Sequence, residues 1–432
     1  MNKIRRRWSL ALTLVAFSSP CLLFTFRSEK ESVRSIPEAP ATVMLATIFT
    51  EGMCLSPKLD GPEDNQGMSA SLGGELPPIR LVSDPYPTFN GIALDVENNR
   101  VAMSDENRKG VLVYDRAGGN KSSVVTSPLR QVIGPASQIG YIAGVTFDPS
   151  HGEIYAVNND LDDRIVVFDD DANGDVKPKR RLFVPHQAWG ISVNPVADQF
   201  AISVQQLSMV AIYRREAKGL EAPLRIIEGP NTGLADPHGV YWDAGHHEIV
   251  VANHGNYSVI ASYSAYDAGV SSQAMSAGGH FLPPSLNVFQ DSASADAKPL
   301  RTIQGAHTQL NWPMGIDIDS GHEEIAVANN GDNSVLVFRR SAQGDAEPVR
   351  VIRGPRTGIV RPMGVAMDSK NDEMWVANYG DHTAEVFSRT ATGNAAPKRI
   401  VRNAPAGTPT GGFGNPYAVA YDSKRDQLLV PN

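Results

Sequence analysis

The sequence predicts an all-β fold: a seven-bladed β-propeller of four-stranded antiparallel blades, with six blades as the alternative, preceded by an N-terminal signal or anchor segment. Three observations predict it. A Pro-x-Arg triplet recurs along the chain, each interval holds the same succession of short strand-like segments, and an apolar run behind three arginines opens the chain.

The triplet stands at Pro78-Ile79-Arg80, Pro128-Leu129-Arg130, Pro178-Lys179-Arg180, Pro223-Leu224-Arg225, Pro299-Leu300-Arg301, Pro348-Val349-Arg350 and Pro397-Lys398-Arg399. Its arginines are 50, 50, 45, 76, 49 and 49 residues apart. A fixed period of this size marks a solenoid or a propeller. The fifth unit shows the content: Arg301-Thr302-Ile303, then Gly315 to Asp319, Glu324 to Asn329 and Ser334 to Phe338. Each segment is four to six residues long or shorter, rich in β-branched residues and bounded by Gly, Asp or Asn. No unit holds an apolar 3.6-residue period, which excludes helical solenoids. Four strands per unit is the content of a propeller blade.

The innermost strands are read from Asn90-Gly91, Ala143-Gly144, Trp189-Gly190, His238-Gly239, Met314-Gly315, Met363-Gly364 and Tyr417-Ala418, which makes seven. The seventh blade is expected to close on Ile79 to Val82, with a third strand from Val43 to Phe49, so that the two ends of the chain share a sheet.

The segment Glu373-Met374-Trp375-Val376-Ala377-Asn378-Tyr379-Gly380-Asp381 resembles the YVTN-type propeller repeat. The order Pro-x-Gly-Ile/Val, then Asp, then an Ile/Trp-Val-Ala-Asn strand is similar to NHL repeats. The resemblance covers 77–432. It implies the fold and leaves function open, because such families include enzymes, receptors and scaffolds. In lactonase-like propellers Asn and acidic side chains at the channel hold calcium; here no glutamate precedes an inner-strand glycine.

The chain divides into 1–27, a signal peptide or membrane anchor; 28–76, a flexible tether; and 77–432, the propeller. Arg5, Arg6 and Arg7 precede the apolar runs Trp8 to Phe17 and Leu22 to Phe26, the form of an export signal. Taken together, residues 8–26 are also long enough for a membrane tether. The expected location is periplasmic, cell-surface or secreted. Cys21 and Cys54 are the two cysteines, too few for a disulfide framework or a Cys-based zinc site. A formal net charge of −8 argues against a nucleic-acid partner.

If the blades share one register, the residues before the inner-strand glycines ring one mouth of the channel. Asn90, Trp189, His238, Met314, Met363 and Tyr417, with His186 just upstream, are therefore the candidate ligand-binding residues. Their types suit plain channel packing, a peptide or small-molecule site, or a soft metal. No cofactor is demanded. Calcium is a candidate at Asp169, Asp171, Asn173 and Asp175, a loop with alternating oxygen ligands whose twelfth position is Arg180 instead of glutamate. The recurrent Asp95, Asp148, Asp243, Asp319, Asp368 and Asp422 read as turn formers. His246-His247-Glu248 and His322-Glu323-Glu324 read as turn residues too.

The fourth unit carries about 23 extra residues from Ser262 to Pro284, read either as a binding loop or as a tolerated surface insertion. Two function classes remain. One is a binding scaffold for a protein, peptide or small molecule, working through the channel mouth and this insertion. The other is a metal-assisted hydrolase or lyase, with His186 or His238 as general base. No catalytic set stands out to establish an enzyme.

Overall fold

The middle strands are buried on both faces, so each sheet needs a neighbour on either side and the units assemble around a common axis. The computed structural model describes residues 85–119, 124–160, 162–258, 279–408, 420–422 and 427–429. All of them lie in the compact unit Glu51–Asn432. Among them, six four-stranded antiparallel sheets form the blades, at 89–133, 141–183, 188–227, 237–304, 313–353 and 362–402. Each blade runs in sequence order from inner to outer strand, with the blade 4 insertion set aside from its sheet.

Six blades, not seven, close the ring. Blade 6 packs directly on blade 1: Phe89, Val101 and Tyr114 share one buried cluster with Trp375, Ala377 and Val401. The Tyr114 hydroxyl donates to Asn403 Oδ1 at 2.9 Å across the same seam. Of the expected seventh blade, the described residues hold a two-stranded ribbon, Ala420–Asp422 with Gln427–Leu429. Tyr417 lies outside the described residues, as do the strands expected at Val43 to Phe49 and Ile79 to Val82 and the segments 1–27 and 28–76. No helix among the described residues is long and apolar enough to cross a membrane.

The physical reason for six is visible at the axis. Each inner strand starts with a register shift, a bulge that turns its early residues toward the channel. A Cβ on Gly91, Gly144, Gly190, Gly239, Gly315 or Gly364 would lie within 3.0 Å of a carbonyl oxygen of the next blade. The partners are the carbonyls of Ala143, Trp189, His238, Met314, Met363 and Asn90, so the last contact returns to the first blade. The seventh copy has Ala418 where this approach requires glycine.

The repeated arginines explain the period. Arg180, Arg301, Arg350 and Arg399 each open an outer strand and pair with a glutamate opening the second strand of their own blade, Glu153, Glu248, Glu324 and Glu373. The next blade adds a second arginine to each carboxylate: Arg215, Arg340, Arg389 and Arg116 respectively. Between blades 1 and 2 the charges are exchanged, Arg100 meeting Asp170 at 2.6 Å. Outside this belt, the hairpins leading into the outer strands of blades 2 to 6 each bridge the previous blade, as at Val132–Gly174 and Ile303–Gly344.

Candidate functional site

The channel mouth is built by three register positions that every blade repeats. The first is the residue before the inner-strand glycine. Of the predicted residues, the structure brings Asn90, Trp189 and Met363 to the channel lining. His238 and Met314 stand at the same register position, both 3% exposed. The bore itself holds about 70 Å³ of free space. That volume admits water or an ion and falls far short of the roughly 300–1,000 Å³ of a typical ligand pocket.

The second position lies at the end of the second strand: Glu106, Gln205, His254, Asn330 and Tyr379 just follow it and Asn159 is its last residue but one. These side chains reach toward the mouth residues of the following blade. Asn330 Nδ2 lies 3.3 Å from Met363 Sδ, and His254 Nε2 lies 2.9 Å from Met314 Sδ. The third position, two residues before the first, takes a left-handed backbone in four blades: Gln187, Asp236, Trp312 and Arg361. There the carbonyl is aimed at the amide of the second position, as in His254 N–H donating to Asp236 O at 3.1 Å.

Blades 3 to 5 thereby bring four aromatic rings into one row, three of them stacked and Trp189 tilted against the first. Trp189 and His238 have centroids 4.6 Å apart; His238 and His254 stack at 3.6 Å and 15°; His254 and Trp312 lie at 5.2 Å. Trp312 is 51% exposed and ends the stack at the surface. Asp236 lies beneath the two imidazoles, with Oδ1 3.6 Å from His238 Nδ1 and Oδ2 3.4 Å from His254 Nδ1. Burial lowers the pKa of His238 to about 3, with the nearby His254 adding to the shift, and burial lowers His254 to about 3 as well. Both rings are therefore neutral at physiological pH. Burial also raises Asp236, against the opposing pull of His238 and a hydrogen bond from Gln205.

The opposite half of the mouth is acidic. Glu106 is buried and accepts a hydrogen bond from Asn90 Nδ2. Burial raises it to about 7, opposed by hydrogen bonds from Tyr141, Asn90 and Tyr379 and assisted by Asp105. A glutamate thus does stand at the mouth, just after a second strand instead of at the start of an inner one.

The other predicted residues lie elsewhere. His186 is 38% exposed and its Nδ1 lies 2.8 Å from Asp163 Oδ1. In the loop read as a calcium candidate, Asp169 pairs with Lys179 at 2.7 Å. Asn173 Oδ1 accepts the Gln131 amide at 3.1 Å, Asp175 Oδ1 accepts the Ala136 amide at 2.7 Å, and Asp171 is exposed. Asn173 and Asp175 thus latch blade 2 onto blade 1. His246 and His322 bond Asp243 and Asp319 within their turns, both at 2.7 Å, whereas Glu248 belongs to the buried belt. Among the described residues, three metal-ligating side chains with all ligand atoms within 4.8 Å of one another occur once, at Asp236, His238 and His254. Of these, Asp236 and His254 escaped the sequence reading; aligning the residue after each second strand would have exposed His254.

The insertion leaves blade 4 beside this cluster. Asn256–Ser258 pairs with Gly279–Phe281 as a separate ribbon that starts two residues after His254. The intervening 259–278 lie outside the described residues.

No family model and no curated protein matches the chain. Among solved structures, it is similar to hydrazine synthase of Kuenenia stuttgartiensis, with 13% identity and a TM-score of 0.47, covering 73% of this chain and 83% of that one. It is also similar to a chain of a nidogen/laminin complex, with 11% identity and a TM-score of 0.42, covering 70% of this chain and 89% of that one.

Proposed function

We propose that the chain is an exported NHL/YVTN-like propeller that works as a binding scaffold, receiving a peptide or small-molecule ligand at the channel mouth beside the blade 4 insertion. The observation that carries this reading is the three-ring stack, which runs from the buried His238 through His254 to the half-exposed Trp312. Stacked rings give a ligand a large apolar face with polar edges, the make-up of recognition sites. The narrow bore limits the ligand to the mouth, where the insertion ribbon begins. Export is supported by Arg5 to Arg7 and the apolar run behind them.

The test is a thermal-shift and titration screen of peptides, sugar lactones and metal ions against the purified chain. Trp312→Ala is expected to weaken a mouth ligand at least tenfold with little change in unfolding midpoint, since half of the ring is already in water. Replacing Trp189 and His238 together should abolish the ligand's shift; an unchanged shift would remove the mouth as the site.

A second reading, the metal-assisted hydrolase or lyase, is favoured by one observation, the convergence of Asp236, His238 and His254. His186, the other general-base candidate, pairs through Nδ1 with Asp163 Oδ1 at 2.8 Å.

A further inference from the structure

We propose that Asp236, His238 and His254 hold one divalent transition cation of the zinc class, bound by two imidazole nitrogens and a carboxylate oxygen at the channel mouth. The inference deepens the mouth-binding reading and rests on it for the ligand that would complete the coordination.

The geometry comes first. The two imidazole–carboxylate separations are 3.4 and 3.6 Å. Both are long for hydrogen bonds to a carboxylate. They match the edge of a tetrahedron, about 3.4 Å, whose centre lies about 2.1 Å from each corner, the bond length of zinc to His and Asp. All the ligand atoms of the three residues lie within 4.8 Å of one another; the two rings are stacked face to face, so binding one ion requires them to splay until both Nδ1 lone pairs converge on it.

The tautomers come second. Sulfur at Met314 Sδ has no proton to give, so the 2.9 Å contact makes His254 Nε2 the protonated nitrogen. That leaves His254 Nδ1 bare and facing Asp236. A metal-bound histidine characteristically donates its other N–H to a fixed acceptor in this way, and Met314 serves as that acceptor, not as a ligand. In the ion-free protein His238 Nδ1 donates to the Asp236 carbonyl at 3.1 Å; binding a cation there moves the ring proton to Nε2.

Charge comes third. His238 is 3% exposed and His254 5%, while the Asp236 side chain, at 14%, gives the cluster its access to solvent. No Lys or Arg pairs with Asp236 among the described residues. A half-buried carboxyl that receives a hydrogen bond from Gln205 but has no Lys or Arg partner, beside two buried imidazoles, is an arrangement that a cation completes. Two nitrogen donors select a transition metal over calcium, which takes oxygen ligands.

The experiment uses the full chain stripped with chelator, titrated separately with Zn²⁺, Cu²⁺ and Ca²⁺ by calorimetry and checked by elemental analysis. One equivalent of Zn²⁺ is expected. Cu²⁺ binding at the same site and at least as tightly fits the same donor set. Ca²⁺ should not compete. His254→Gln and Asp236→Asn should each weaken Zn²⁺ at least tenfold, while His246→Gln, in an outer turn, leaves it unchanged. Zinc-edge absorption on the unmutated protein guards against variants that fail to fold, and should show a four-coordinate shell with imidazole scattering. No zinc uptake, uptake unaffected by both site variants, or a six-coordinate all-oxygen shell would each overturn the proposal. Repeating the ligand screen on the stripped protein separates the two readings: a ligand shift that persists without zinc uptake keeps the scaffold and removes the metal.

Discussion

At the scale of the residue, the mouth is decided by backbone approach. Gly239 passes so close to Met314 O that any side chain must push blade 4 from blade 5. Gly239→Ala should therefore cost about 1–3 kcal/mol, the usual cost of overpacking, read as a lower urea midpoint. Gly245→Ala is the matched control: its Cβ would meet nothing nearer than Asp243 Oδ1 at 3.5 Å, so stability should hold or rise slightly. Much of this scale was legible in the sequence. The glycines gave the register, and the register put Asn90, Trp189, His238, Met314 and Met363 at one level. Asp236 and Trp312 were not legible, because their place at the mouth depends on a left-handed turn that no residue type there announces. Glu106 and His254 were hidden for another reason. Each follows a residue that plainly ends a strand, and only the curvature between blades returns it to the axis.

At the scale of the element, strand order within a blade followed from the repeat, including the split of blade 4 around its insertion. The interblade belt did not, since its partners come from different units. Arg100 and Asp170 reverse the polarity found between blades 2 and 3, where Glu153 meets Arg215 at 3.2 Å. Arg100→Glu should destabilise strongly, by about 3–5 kcal/mol, because it sets a new carboxylate beside Asp95 and Asp170 with no cation between them. Adding Asp170→Arg recreates the arrangement of the neighbouring seam and should restore most of the loss. A double-mutant cycle in chemical denaturation measures the coupling; additive losses would show that the two side chains do not act as a pair.

At the scale of the whole molecule, closure depends on the seam between last and first blades. Burial alone would raise Glu373, but hydrogen bonds and charge from Arg399 and Lys398 outweigh it and hold the carboxyl at about 2. Arg116 of blade 1 approaches the same group at 3.4 Å. A folded-state value below the unfolded 4.5 means stability that is fully present above pH 4.5 and is lost as pH falls toward 2. Glu373→Gln should remove up to about 3 kcal/mol at pH 7 and flatten the acid limb between 4.5 and 2. Urea midpoints at pH 7 and pH 3 check this; a variant with the wild-type slope would place the acid-sensitive contact elsewhere. The sequence left the blade number open between seven and six because Tyr417-Ala418 follows the local pattern, while the decisive contact, from Gly364 to Asn90 O, spans nearly the whole propeller.

The exchanged polarity at Arg100 and Asp170 also acts as a count. Remove blade 2 and Arg100 would confront Arg215; remove blade 1 and Glu373 would confront Asp170. Gene duplication easily adds or drops a repeat, yet in this chain the omission of either of those units sets like charges face to face at a joint. The polarity of its joints thus writes a tally of its own blades into the sequence.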